Sequence, residues 1–101
     1  MVTELNKDTF DAFVAQGDAV VDLFAEWCGP CRMMAPVVEE LSGEYPEVKF
    51  GKLNVDEAEE IAVRYGVQYI PTLLFFRDGE CTAKETGVKR KEDLAARLKK
   101  D

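Results

Sequence analysis

The chain has 101 residues, of which 13 are basic and 20 are acidic, so its formal charge is −7. With 47% hydrophobic and 33% charged residues, it is predicted to form one globular domain over residues 1–101 rather than a disordered or fibrous chain. The negative charge disfavours nucleic-acid and anionic-membrane binding, and the lack of histidine excludes Ser-His and Cys-His catalytic pairs and the usual Cys/His zinc cage.

No segment of the sequence has the length and apolarity of a membrane span. The longest uncharged stretch is residues 66–76, whereas a bilayer helix needs about 20 apolar residues. The N-terminus lacks the basic start and the apolar run of a signal peptide. We expect a cytoplasmic protein, with a monomer as the default state. Because the negative charge disfavours nucleic acids and anionic membranes, we expect its partners to be proteins or small molecules.

The hydrophobic pattern predicts strands that alternate with helices along most of the chain. The first predicted elements are a short strand near Val2 and a helix over about 8–15, with Asn6 and Asp8 as candidate caps and Gly17 at its end. A strand over 19–25 comes next. It leads to a long helix that follows 27–31, is kinked at Pro36 and continues to about 43. The remaining ones are a strand over 48–55, a short helix near 61–65 closed by Gly66, strands over 72–77 and 80–86, and an amphipathic helix marked by Leu94, Ala95 and Leu98.

This order, βαβαβαββα, predicts how the strands pair. Residues 19–25 are apolar on both faces, as in a central strand that is covered on both sides. Asp78 and Gly79 suit a type I′ turn, so the last two strands are predicted to be an antiparallel hairpin. Because strand-helix-strand units favour parallel pairing, the predicted fold is α/β, with three α/β/α layers around a mixed sheet.

Cys28 and Cys31 are separated by two residues at the predicted junction between a buried strand and a helix. This spacing lets the two sulfurs form a disulfide with little backbone distortion. The free N–H groups and partial positive charge of a helix start favour a thiolate at Cys28, which is therefore the predicted attacking sulfur. Cys31, one turn further along, is predicted to be shielded and to resolve a mixed disulfide with a substrate.

The cysteine pair has two other interpretations, a stabilising staple and a metal site. A disulfide that closes so small a loop stabilises the fold by less than a disulfide that closes a 15-residue loop, for which the gain is about 3 kcal/mol; this disfavours the staple. The metal site is disfavoured because the sequence has no second Cys or His pair. Gly29 permits a partner chain to approach closely, and Pro30 fits the first helical turn. These features favour redox chemistry.

Asp22 is a charged residue inside the apolar strand 19–25. Desolvation is predicted to raise the pKa of its carboxyl group, which suits an acceptor for the proton of Cys31. The alternative is an Asp on an exposed strand face. Lys52, charged within another strand, either pairs with Asp22 across the sheet or extends its amine into solvent.

Three further residues each have two interpretations. Trp27 is an aromatic residue that contacts partners, a core aromatic at the end of the sheet, or both. Pro71 is either a plain proline at a strand entry or a cis-proline that exposes backbone polar groups. Cys81 is favoured as a small buried or half-buried apolar residue over a regulatory thiol.

Taken together, these residues resemble the thioredoxin family along nearly the whole chain. The resemblance is carried by the segments 22–32, 35–36, 52–56, 66–67, 70–73 and 78–80 and by Gly87. Trp-Cys-Gly-Pro-Cys followed by Ile-Pro-Thr about forty residues later is specific to that family. Phe24, Tyr69 and Thr86 depart from its usual pattern, and we expect Tyr69 to narrow the substrate groove or to change the preferred clients.

The resemblance implies a protein-disulfide reductase with no bound cofactor besides the Cys28–Cys31 disulfide, recharged by a reductase that is commonly an NADPH-dependent flavoenzyme. It implies Cys28 as nucleophile, Cys31 as resolving thiol and Asp22 as buried proton acceptor beside Lys52. It also implies a substrate groove with Pro71 as its cis-proline. The residues expected to contact substrate are Trp27, Gly29, Pro30, Ile70, Pro71 and Gly87.

Two rival functions are weighed against a general disulfide reductant. An oxidant or isomerase of the secretory route is disfavoured by the Gly29-Pro30 dipeptide and by the missing signal peptide. A binding module or assembly subunit with the same fold would bind its partner whatever the redox state of its cysteines. The presence of both Cys28 and Cys31 weakens that hypothesis.

Overall fold

The computed structural model describes residues 1–98, in which five strands and four α-helices follow the predicted order. The strands are β1 (Thr3–Leu5), β2 (Asp18–Phe24), β3 (Lys49–Asn54), β4 (Thr72–Arg77) and β5 (Glu80–Thr86). The helices are α1 (Phe10–Val14), α2 (Gly29–Glu44), α3 (Glu59–Arg64) and α4 (Lys91–Ala95), with a 3₁₀ turn at Val55–Glu57. Residues 99–101, which belong to the predicted domain, lie outside the described residues.

The five strands form one mixed sheet in the order β1-β3-β2-β4-β5. β3 pairs in parallel with β1 and β2, whereas β4 pairs antiparallel with β2 and β5. β2 is therefore the central strand, as its apolar sequence on both faces predicts. Within residues 1–98, no helix is long and apolar enough to cross a bilayer.

Successive side chains of β2 enter two different cores because they point to opposite faces of the sheet. Val21 and Leu23 pack with residues of α1 and α3, whereas Val20 packs with residues of α2 and α4. Leu94, Ala95 and Leu98 all lie against this second core, as the amphipathic pattern predicts. The result is the predicted α/β/α arrangement of three layers.

The first helix is shorter than the predicted 8–15. Asn6 Oδ1 accepts hydrogen bonds from the backbone N–H of Asp8, at 2.8 Å, and of Thr9, at 3.0 Å. These bonds hold a turn in front of the helix, so that α1 begins only at Phe10. Asn6 thus satisfies backbone donors, as its residue type suggests, but in a turn rather than at the helix cap.

The last two strands are the predicted hairpin. Asp78 and Gly79 both have positive φ angles, 49° and 87°, as the central residues of a type I′ turn require. The register shifts between Phe75 and Phe76, which pair with Ala83 and Cys81, so Thr82 is an extra residue in β5. This irregularity places Cys81 opposite Phe76.

Candidate active site

Cys28 lies at the N-cap of α2, four residues after the end of β2. Its backbone is extended, and its Sγ accepts a hydrogen bond from the backbone N–H of Cys31 at 3.2 Å. The first N–H groups of a helix have no partner inside the helix, so they stabilise negative charge on an atom in this position. This geometry suits a thiolate at Cys28.

Cys28 and Cys31 are joined by a disulfide, and their Cα atoms are 5.3 Å apart. That separation is within the range usual for disulfides. Both residues are only 4% exposed, so the exposed fraction does not distinguish an attacking sulfur from a shielded one. The hydrogen bond from the helix start to Cys28 Sγ is the feature that makes the two sulfurs different.

The loop before β4 lies directly beside Cys28. The Ile70–Pro71 peptide bond is cis, which is the second of the two interpretations of Pro71. Cys28 Sγ is 3.9 Å from the carbonyl oxygen of Ile70. Gly87 N–H donates to the carbonyl oxygen of Pro71 at 2.8 Å, so the structure brings Ile70, Pro71 and Gly87 together at this place.

Trp27 is exposed rather than part of the core. Its side chain is 69% exposed, and its Nε1–H donates to Asp56 Oδ2 at 2.8 Å. Asp56 is in turn positioned by Asn54, whose Oδ1 accepts the backbone N–H of Asp56 at 2.9 Å. The indole ring is therefore held beside the cysteines with its surface free for a partner.

Asp22 is buried, as the pattern of β2 predicts. It is 4% exposed, and its Oδ1 has no hydrogen-bond partner among the described residues. Desolvation raises the pKa of this carboxyl to about 7, and the charge of Lys52 opposes part of that increase. A group with this pKa can accept or release a proton near neutral pH.

Lys52 lies opposite Asp22 in the parallel register of β2 and β3. The lysine is nevertheless exposed, and no ion pair joins the two residues in the described part of the chain. Of the two interpretations of Lys52, its exposure and the lack of an ion pair within residues 1–98 favour the lysine whose amine is in solvent over a direct pair with Asp22. Its charge still acts on Asp22 through space.

A cavity of about 310 Å³ connects the buried acid to the disulfide. Asp22 and Lys52 lie on its wall together with Cys31. The other lining residues are Phe24, Ala25, Glu26, Arg32 and Ala35. A cavity of this volume has room for several water molecules, which are the usual carriers of a proton between groups that do not touch.

Gly29 and Pro30 are the first two residues of α2, and both are exposed. Pro30 lacks the N–H that a first-turn residue would leave unpaired. The backbone that follows Cys28 is thus exposed to solvent.

Cys81 is half-buried on β5 and packs against the core formed by α1 and α3. Burial raises the pKa of its thiol. Both observations agree with the interpretation of Cys81 as a small apolar residue.

Two residues at the site have no role in the sequence predictions. Asp56 orients Trp27, and Arg32 Nη2 donates to the carbonyl oxygen of Glu26 at 3.0 Å. The position of Asp56 directly after a predicted strand was the available signal, but its contact with Trp27 spans 29 residues and depends on the tertiary fold. Within residues 1–98, no group of three or more His, Cys, Asp or Glu is arranged to hold a metal ion.

Comparisons with known proteins agree with this geometry. The family model described as Thioredoxin matches residues 1–100. The chain is 47% identical to the thioredoxin of Chlamydia pneumoniae, over 99% of this chain and 98% of the relative. It is 44% identical to a Staphylococcus epidermidis thioredoxin, over 98% of this chain and 96% of the relative.

A solved structure also has the same fold. It comes from a study of the thiol resolving mechanism in yeast mitochondrial 1-Cys peroxiredoxin via the glutathione and thioredoxin systems. The similarity has a TM-score of 0.87 at 33% sequence identity, and it covers 96% of this chain and 92% of that chain.

Proposed function

Because the chain belongs to the thioredoxin family and is a thiol-disulfide oxidoreductase, we propose that Cys28 attacks the disulfides of client proteins and that Cys31 completes their reduction. The observation that carries the proposal is the hydrogen bond from Cys31 N–H to Cys28 Sγ at the start of α2. It supports Cys28 as the sulfur that is more easily ionised, and the thiolate is the nucleophile in disulfide exchange.

The reaction consists of two exchanges. In the first, the Cys28 thiolate bonds to one sulfur of the client disulfide, and the other client sulfur leaves as a thiolate and takes up a proton. In the second, Cys31 loses its proton and attacks Cys28 Sγ, which releases the second client sulfur as a thiol. Two electrons pass to the client, and the protein is left with the Cys28–Cys31 disulfide.

We assign to Asp22 the role of accepting the proton of Cys31 in the second exchange. Its burial, its raised pKa and the cavity that it shares with Cys31 support this role. Lys52, on the wall of the same cavity, is proposed to favour the ionised form of Asp22 through its charge.

The client is proposed to bind across the exposed surface around Cys28. Trp27, which directly precedes Cys28, is exposed, and the loop before β4 lies beside the reactive sulfur, which supports a groove at this place. The residues proposed to contact the client are Trp27, Gly29, Pro30, Ile70, Pro71 and Gly87.

We further propose the partners and setting that the family implies. A thioredoxin reductase that uses a flavin would return the two electrons to the Cys28–Cys31 disulfide, and disulfide-containing proteins would be the clients. The protein is proposed to act as a single domain and a monomer, in the cytoplasm, where thiols are kept reduced.

The direct test is to mix the reduced protein with a disulfide-bonded protein and to count the free thiols released. We expect two client thiols for each Cys28–Cys31 disulfide formed, and we expect none from a variant that carries both Cys28→Ser and Cys31→Ser. If the double variant kept the protein's activity in its cell of origin, the binding-module hypothesis would replace this one.

A further inference from the structure

A second cavity, of about 360 Å³, is lined by Trp27 and, unlike the first, does not include Asp22 in its lining. It is formed between the 3₁₀ turn and α3 on one side and the loop before β4 on the other. Its apolar wall consists of Val55, Ala62, Val63, Val67 and Ile70. Ile70 also carries the carbonyl oxygen that is 3.9 Å from Cys28 Sγ. The cavity therefore adjoins the sulfur that is proposed to attack the client disulfide.

The mouth of this cavity has exposed apolar side chains. Trp27 is 69% exposed and Val63 is 79% exposed, and both line the cavity. Tyr69 lies between Gln68 and Ile70 in the sequence and is 71% exposed, but it does not line the cavity. Large exposed apolar side chains grouped at one place are typical of an interaction surface.

The charge at this cavity is strongly negative. Asp56 and Glu59 line it, and residues 55–70 contain four acidic side chains but only one basic one, Arg64. Arg64 is already in an ion pair with Asp11, at 2.6 Å. Lys84 approaches the end of α3, but its amine donates to the carbonyl oxygens of Tyr65 and Gly66. No basic side chain lines the cavity, among the described residues.

We propose that this cavity binds an arginine or lysine side chain that lies next to the target cysteine of a client protein. The aliphatic stem of such a residue would cover the apolar wall, while its cation would reach Asp56 and Glu59 at the rim. The exposed face of Trp27 adds cation–π attraction. The inference rests on the proposed function, because it names the clients that the same site prefers.

The test uses three short peptides, each closed by one internal disulfide and identical except for the residues that flank one cysteine, which are Arg, Gln or Glu. The reduced protein is mixed with each peptide in a stopped-flow instrument, and the fluorescence of the single tryptophan, Trp27, reports oxidation of the cysteine pair. Exposed charge pairs contribute modestly, so we expect the Arg peptide to react about three to five times faster than the Gln peptide, and the Glu peptide to be slowest.

The matched variants are Glu59→Gln and Glu60→Gln, which change the net charge equally at neighbouring positions of α3. Only Glu59 lines the cavity. We expect Glu59→Gln to bring the Arg-to-Gln rate ratio close to one and Glu60→Gln to preserve it.

Three results would overturn the inference. If the Arg and Gln peptides were reduced equally fast, the cavity would have no preference for a cation, and the proposed function would stand. If Glu60→Gln lowered the ratio as much as Glu59→Gln, the preference would come from general charge rather than from the cavity. If no peptide were reduced, the proposed function would fail first and this inference with it.

Discussion

Replacing Cys31 by serine is expected to stop turnover and to leave the client bound to Cys28 as a mixed disulfide. Without the second thiol, nothing in the site displaces the client sulfur from Cys28. The rate of multiple-turnover reduction should fall by about a thousandfold or more, as expected when a group that carries a reaction step is removed. Mass spectrometry of the unreduced mixture should show a covalent one-to-one complex.

Two matched variants make the result specific. Cys28→Ser should lose the activity to the same extent but form no complex, because it lacks the sulfur that attacks first. Cys81→Ser should behave like the unaltered protein, since Cys81 is half-buried on β5 and packs against the core. If Cys28→Ser instead trapped the client, the roles of the two cysteines would have to be exchanged.

Replacing Asp22 by asparagine is expected to change strongly how the free energy of unfolding depends on pH. The pKa of Asp22 is raised to about 7 in the folded protein from 3.8. Between these two values the folded protein keeps the proton and the unfolded chain loses it, so the carboxyl group lowers the free energy of unfolding as pH rises. Below about pH 3.8 this decrease in the free energy of unfolding is absent, and above about pH 7 it is complete.

The size of the effect follows from the difference between the two pKa values. A difference of about three units corresponds to about 4 kcal/mol. The free energy of unfolding of Asp22→Asn, relative to the unaltered protein, should therefore increase by on the order of 4 kcal/mol between about pH 3 and pH 8. Urea denaturation at several pH values measures this directly.

A control variant and a kinetic measurement complete the test. Asp8→Asn, which removes one carboxyl group at an exposed position before α1, is the matched control for Asp22→Asn. Asp22→Asn should also slow the second exchange near neutral pH, measured in a single turnover as the decay of the mixed disulfide. An unchanged decay rate would remove Asp22 from the proton transfer even if its effect on stability were confirmed.

Much of the fold is predictable because its local signals agree with its tertiary contacts. β2 is recognisable as central since apolar residues occupy both of its faces, and the hairpin follows from Asp78 and Gly79, whose φ angles are both positive. The start of α1 is not predictable in the same way. Asn6, Asp8 and Thr9 all have residue types that bind free backbone N–H groups, and only the folded chain decides which bonds form.

Some features of the site can likewise be predicted from the sequence and others cannot. The position of Cys28 at a helix start and the burial of Asp22 follow from the pattern of the surrounding residues. The isomer of the Ile70–Pro71 bond does not, because cis and trans forms before proline differ by only about 0.5–1 kcal/mol. The orientation of Lys52 is also undetermined, since a long side chain on a strand can turn toward a buried acid or toward solvent.

The cavity beside Trp27 cannot be predicted from the sequence, for a different reason. Its walls come from residues of the 3₁₀ turn, α3 and the loop before β4, whose sequence separation from Trp27 is about 30 to 40 residues. No local pattern indicates that these segments enclose a space.

The reduction potential of the Cys28–Cys31 pair determines in which direction the protein exchanges electrons with its clients. The protein would be equilibrated with glutathione or dithiothreitol buffers of known potential, with the fluorescence of Trp27 as the signal. A disulfide reductant of this family should have a potential of about −270 mV. A value about 100 mV or more higher would contradict the account, because the pair would then oxidise client thiols rather than reduce client disulfides.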